Sequence, residues 1–67
     1  MDNYKQQIIE RIGRNIHLLL EYREFGQRQL AQKLDLDEAY VSRIINGKQQ
    51  PSFNFLIQTS RILKIKG

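Results

Sequence analysis

Few side chains in this chain could make or break a covalent bond, and those few are not grouped. Ser42, His17 and several carboxylates are present, but no nucleophile shares a local motif with a base. A 67-residue chain also leaves little room for a pocket, so no enzyme is expected. There is no Cys and His17 is the only His, which excludes a thiolate metal site and a structural zinc site; no metal and no cofactor are expected. His17 reads as a surface or partly buried helix residue. The remaining chemistry is charge and hydrogen bonding, concentrated between 27 and 48. There Arg28, Lys33, Arg43 and Lys48 stand against Asp35, Asp37 and Glu38, a local balance of +1. The whole chain carries +4 with a pI near 9.8, which suits a polyanionic partner without demanding one.

The elements that must hold these groups can be read from apolar spacing. In QRQLAQKLDLDEAYVSRIING, residues 27 to 47, Leu30, Ala31 and Leu34 form one helical stripe and Val41, Ile44 and Ile45 another. Only DLD separates them, so the second helix must leave the first steeply, with Leu36 pointing inward to pin the corner. Asp35 is expected in the left-handed conformation usual for Gly, which Asp tolerates better than most residues. Asp37 is expected to cap the second helix, and Asn46-Gly47 to end it.

The rest of the chain reads as support. Tyr4, Ile8, Ile9, Ile12, Ile16, Leu19 and Leu20 recur at three- and four-residue steps, giving one long first helix over 3 to 24, capped by Asp2 or Asn3. Gly13 within it marks either a close helix crossing or a break. Leu18 and Tyr22 lie off that stripe, and Phe25 closes the helix onto the core. Gly26 begins the second helix, about 27 to 34; the third spans about 38 to 46. After GKQQPS, Ser52 caps a fourth helix over about 53 to 64. Phe53, Leu56, Ser60 and Leu63 are its expected inward stripe, leaving Phe55, Thr59 and Ile62 as a second stripe, a candidate dimer surface.

These elements make one domain over 1–67, a size at which only about 60% of the unfolded surface is buried. No apolar run approaches the ~18 residues of a membrane span, and MDNYKQQ lacks the basic-then-apolar order of a signal peptide. Together with the missing Cys, this fits a soluble, cytoplasmic protein with no membrane partner.

With QLAQKL, the turn, VSRI, NGK and PS in this order, the chain resembles the phage-repressor family of helix-turn-helix regulators, which includes lambda repressor, Cro and the xenobiotic-response-element-type regulators. The resemblance covers about 12 to 65, and its most specific pieces are Gln27, Leu30-Ala31, Ser42, Gly47-Lys48 and Pro51-Ser52. It implies an all-α, compact four- to five-helix bundle containing a helix-turn-helix at about 27–46, with the third helix entering the major groove. It further implies a sequence-specific transcriptional regulator whose partner is double-stranded DNA, commonly bound as a homodimer. Relatives continue into a fifth helix where this chain ends in KIKG, so the resemblance implies one domain of a longer protein or a shortened chain.

Carried over by position, Glu38, Ala39 and Arg43 match residues that face base edges. Gln27, Arg28, Tyr40, Ser42, Asn46, Gly47, Lys48 and Gln49 match positions near the DNA backbone, with Gln27 also bracing Glu38. The chemistry agrees: Arg binds guanine O6 and N7 together, Glu accepts from cytosine N4, and Ala touches only a thymine methyl.

Three departures qualify the match. A buried Arg and Glu that relatives often pair between the first and third helices read Leu20 and Ile45, and because both sides changed together no charge is stranded. Glu24 and Asp35 stand at turns where the family favours Gly. Asp37 and Glu38 put acid at the DNA-facing helix tip, which weakens phosphate attraction and penalises wrong sites. A second function class, a protein-interaction adaptor or antitoxin-like module on the same fold, is motivated by the near-neutral helix-turn-helix and by Phe55 and Ile62.

Overall fold

The apolar rows become four helices in the computed structural model, which describes residues 3–64: α1 (Tyr4–Tyr22), α2 (Gln27–Leu34), α3 (Glu38–Ile45) and α4 (Phe53–Leu63). The described residues contain no strand. α1 packs on α3, while α2 packs on both α3 and α4. Leu30, Val41 and Ile44 are the fully buried side chains at the centre, each contributing about 1.5–3 kcal/mol by leaving water. Ile16, Leu20, Ala31, Ile45, Phe55 and Leu63 complete the core. No helix is long and apolar enough to cross a membrane among the described residues.

Gly13 marks a crossing rather than a break. α1 runs unbroken through it, and a methyl group there would collide with the carbonyl oxygens of Ile44 and Ile45, so α3 ends against the α1 backbone. α1 starts after Asn3, whose side chain makes no cap bond. The alternative cap, Asp2, lies outside the described residues.

The first three helices stop by one device. At the end of α1, Phe25 N–H donates to Leu20 O (2.8 Å) and Glu24 N–H to Glu21 O (3.0 Å) around a left-handed Glu24 (φ 54°). Leu36 and Asp35 repeat the pattern on Ala31 O (2.9 Å) and Gln32 O (3.2 Å), with Asp35 at φ 59°. Lys48 and Gly47 repeat it on Arg43 O (2.8 Å) and Ile44 O (3.1 Å), with Gly47 at φ 74°. These paired bonds satisfy the last free carbonyls of each helix and turn the chain sharply. The α2–α3 corner is therefore pinned by backbone. The Leu36 side chain, expected to point inward, is 40% exposed.

α4 meets its expected face only in part: Leu63 is buried and Leu56 packs against the core, but Phe53 does not. Ser52 caps it as anticipated, its Oγ accepting from Phe55 N–H at 3.0 Å. Yet Phe53 is 78% exposed, while Phe55 and Thr59 are 3% and 2% exposed and Ile62 is half-buried against the core. Phe53 occupies the first helical position, at the edge of the bundle. Phe55 reaches the Tyr40 ring edge-on, centroids 6.1 Å apart at 77°, which turns the 55, 59 and 63 side inward. Phe55 and Thr59 are thus core and Ile62 is half-buried against it, so this stripe does not form the exposed apolar patch expected of a dimer surface, and the adaptor reading loses that support.

Candidate nucleic-acid interface

The α2–α3 pair places its polar side chains by what its apolar side chains bury. With Val41, Ile44 and Ile45 inside, Glu38, Ala39 and Arg43 are left exposed on the outer side of α3, Ala39 and Arg43 one turn apart. The start of α3 is held by Asp37, whose carboxylate accepts from Ala39 N–H at 3.4 Å and whose carbonyl accepts from Tyr40 N–H at 3.0 Å. Acid here sits at the positive end of the helix dipole, which offsets part of its repulsion for phosphate.

Tyr40 is half-buried and does structural work at the surface. One side meets Phe55; the Arg43 guanidinium lies over the ring, 5.9 Å from its centroid. An exposed cation–π contact of this kind contributes about 0.5–1 kcal/mol. It holds the Arg43 fork beside Ala39 and limits the volume the long side chain sweeps.

Glu38 is braced, but by a different residue from the one expected. Arg28 Nε lies 3.4 Å from Glu38 Oε1, whereas Gln27 makes no hydrogen bond to Glu38. The pair is solvent-exposed and contributes little stability, but it leaves the acid at the helix tip with a neighbouring cation. Gln27 turns instead towards a groove of about 300 Å³ lined by Glu10, Arg14, His17, Gln27, Ile45 and Asn46.

At the other end of α3, Asn46 Nδ2 donates to Ser42 O (2.9 Å) and more weakly to Ser42 Oγ (3.3 Å). Gly47 is buried against Glu10, and its carbonyl accepts from Gln6 Nε2 at 2.9 Å. Lys48 is exposed and Gln49 half-buried just beyond. The structure therefore brings Arg43 onto Tyr40, Arg28 to Glu38, and Asn46 to Ser42. It separates Phe55, Thr59 and Ile62 from all of them except through Tyr40.

Sequence reasoning passed over Gln6, Glu10 and Arg14, and read His17 as a surface or partly buried helix residue without placing it in this row. The signal was present as a polar row at steps of four, four and three along α1, on the side next to its apolar stripe. What could not be read was that this row ends beside Gln27 and Asn46.

A family model described as Helix-turn-helix matches residues 21–66, so its span includes the last two residues of α1 and all of α2, α3 and α4. No curated protein and no solved structure matches the chain. The family match and the described geometry agree on the same pair of helices, and the chain belongs to the phage-repressor-like helix-turn-helix family of DNA-binding regulators.

Proposed function

We propose that this protein binds a specific operator in double-stranded DNA as a cytoplasmic transcriptional regulator, with α3 in the major groove. The observation that carries the reading is the outer side of α3: Ala39 and Arg43 are exposed together, and Arg43 is oriented by Tyr40. Arg43 reads guanine through O6 and N7, Glu38 accepts from cytosine N4, and Ala39 contacts a thymine methyl. Gln27, Arg28, Tyr40, Ser42, Asn46, Lys48, Gln49 and the backbone at Gly47 lie against phosphates and set the register. Approach of a phosphate competes with Glu38 for Arg28. At a site offering no donor, Glu38 is left unpaired near phosphate, which converts the acid into discrimination against wrong sequences.

Two copies acting together would place half-sites about 10 base pairs apart, one turn of DNA. Selection of bound sequences from a random DNA pool tests the reading directly: an enriched consensus is expected, palindromic if a homodimer binds. Arg43→Ala should then relax preference at one base position more than it lowers affinity for random DNA. No enrichment from the pool would sink the operator reading.

A further inference from the structure

We propose that Gln6, near the start of α1, is a positioning residue for DNA binding: its side-chain amide fixes the peptide unit between Gly47 and Lys48, and through it the aim of the residues that follow α3. The proposal deepens the DNA reading above and rests on it. Gln6 lies upstream of residues 21–66, the span of the family match, so this support comes from a part of α1 outside that span.

The amide can face only one way. Gln6 Nε2 donates to Gly47 O at 2.9 Å and to Glu10 Oε2 at 3.1 Å. A carbonyl and a carboxylate only accept, so the nitrogen end must meet both, and each of its two protons is used. Glu10, one turn further along α1, thereby holds the Gln6 side chain in the orientation that reaches Gly47. The α1 backbone itself also presses on this glycine: a Cβ at Gly47 would lie 2.8 Å from Glu10 Cγ and 3.2 Å from Glu10 Cα. Only Gly lets the two segments come this close.

The peptide unit after Gly47 is consequently held on both sides. Its carbonyl accepts from Gln6, and its N–H, which belongs to Lys48, donates to Arg43 O at 2.8 Å. The N–H bond is part of the turn that ends α3, and by itself it leaves the plane free to rock about that bond. Because a peptide unit is planar, the second bond, from Gln6, removes the rocking. Lys48 and Gln49 leave directly from this unit, and both lie against phosphates in the complex proposed above. Their starting direction is set before DNA arrives, so less ordering remains to be done on binding. Gln6 makes no contact with DNA in this arrangement and acts only through the turn.

Equilibrium binding to the selected consensus and to random-sequence duplex over a salt series, at a temperature where circular dichroism shows each variant folded, tests this in the intact chain. Gln6→Met keeps the side-chain length and neutrality and removes the donor; Gln6→Ala removes the same donor from an exposed position with the strongest helix former. Each is expected to weaken binding to both DNAs by about twofold to tenfold, the scale of one hydrogen-bonded contact. Each should also lower the salt slope by up to about 1, as Lys48→Ala does. In a Lys48→Ala background, Gln6→Met should weaken binding by less than it does alone, because the contact it aims is already gone. Gln7→Met, the same exchange at the next exposed position, should leave affinity and slope as in the unaltered protein. Unchanged binding in both Gln6 variants, a slope that does not fall, or full additivity with Lys48→Ala overturns the positioning role and leaves the DNA reading intact. Absence of salt-dependent DNA binding by the unaltered protein overturns both.

Discussion

Arg43 lies across the face of Tyr40, its guanidinium carbon 5.9 Å from the ring centroid, while the edge of that pairing continues inward to Phe55 of α4. A base-reading candidate is thus linked to the core through a single aromatic ring. Conformational freedom that Arg43 gives up here is not lost again on binding, which is how a flexible side chain becomes a selective one.

That linkage separates two substitutions at one position. Tyr40→Phe keeps both ring contacts and removes only the hydroxyl, so it should lower affinity for all sequences alike and leave base preference intact. Tyr40→Leu removes the support of Arg43 and the edge contact with Phe55. It should broaden preference at the Arg43 base and cost about 0.5–1.5 kcal/mol of stability from the lost aromatic pair beyond the area term. Binding-site selection with each variant, alongside denaturant unfolding, measures the two effects separately.

Left-handed turns give a stability prediction of opposite sign. Glu24 (φ 54°) and Asp35 (φ 59°) each hold a conformation that costs an ordinary L-residue about 1–2 kcal/mol. Glu24→Gly should therefore stabilise the fold by about 1 kcal/mol after the entropy of Gly is allowed for. Asp35→Gly should gain less, because Asp tolerates this region better. The expected observation is a higher denaturant midpoint with an unchanged slope. A midpoint that falls in Glu24→Gly would show that the side chain supports the turn in a way its exposure does not suggest.

Much of this geometry was legible in sequence because it is local. Asp35 had to turn left-handed within a three-residue link and Ser52 had a free N–H three residues ahead, whereas Gly13 fitted a crossing or a break equally until α3 was placed against it. Non-local geometry was less legible. Residues 53, 56, 60 and 63 and residues 55, 59 and 62 are both valid helical stripes, and the buried side, 55, 59 and 63, takes from each, with Phe55 set against Tyr40 of another helix. Gln27 and Arg28 are adjacent, and which one reaches Glu38 depends on how α2 is rotated about its axis. The α1 polar row had no visible purpose until α1 was laid across the end of α3.

Thr59 records the cost of that selection. Its Oγ1 is buried in α4 with no hydrogen-bond partner among the described residues. A hydroxyl buried without a partner costs about 1–3 kcal/mol in mutational measurements. Thr59→Val keeps the branched shape and removes the unsatisfied atom, so it should raise stability by about 1 kcal/mol, read as an increase in melting temperature of roughly 4–8 °C for a domain of this size. A destabilised Thr59→Val would mean that the hydroxyl finds a partner in solution, and Thr59→Ser would then retain more stability than Thr59→Val.

Leu20 and Ile45 carry the last prediction. Both are buried, at 2% and 8% exposure, on the two helices that cross at Gly13. Relatives often place an Arg and a Glu at these positions. Leu20→Arg alone buries a cation with no acid waiting for it and should cost about 3–5 kcal/mol, enough to unfold much of a domain this small. Ile45→Glu alone strands a carboxylate in the same region, at a lower cost because Ile45 borders the groove that holds Arg14. Combined, the two should recover part of the loss through mutual pairing, without reaching the stability of the apolar original, since a buried ion pair repays its desolvation incompletely. A double-mutant cycle measured by denaturant unfolding gives the coupling. A cycle that closes with no coupling would mean that residues 20 and 45 are packed in one core without being partners, and that the apolar residues here are independent substitutions rather than the replacement of one pair by another.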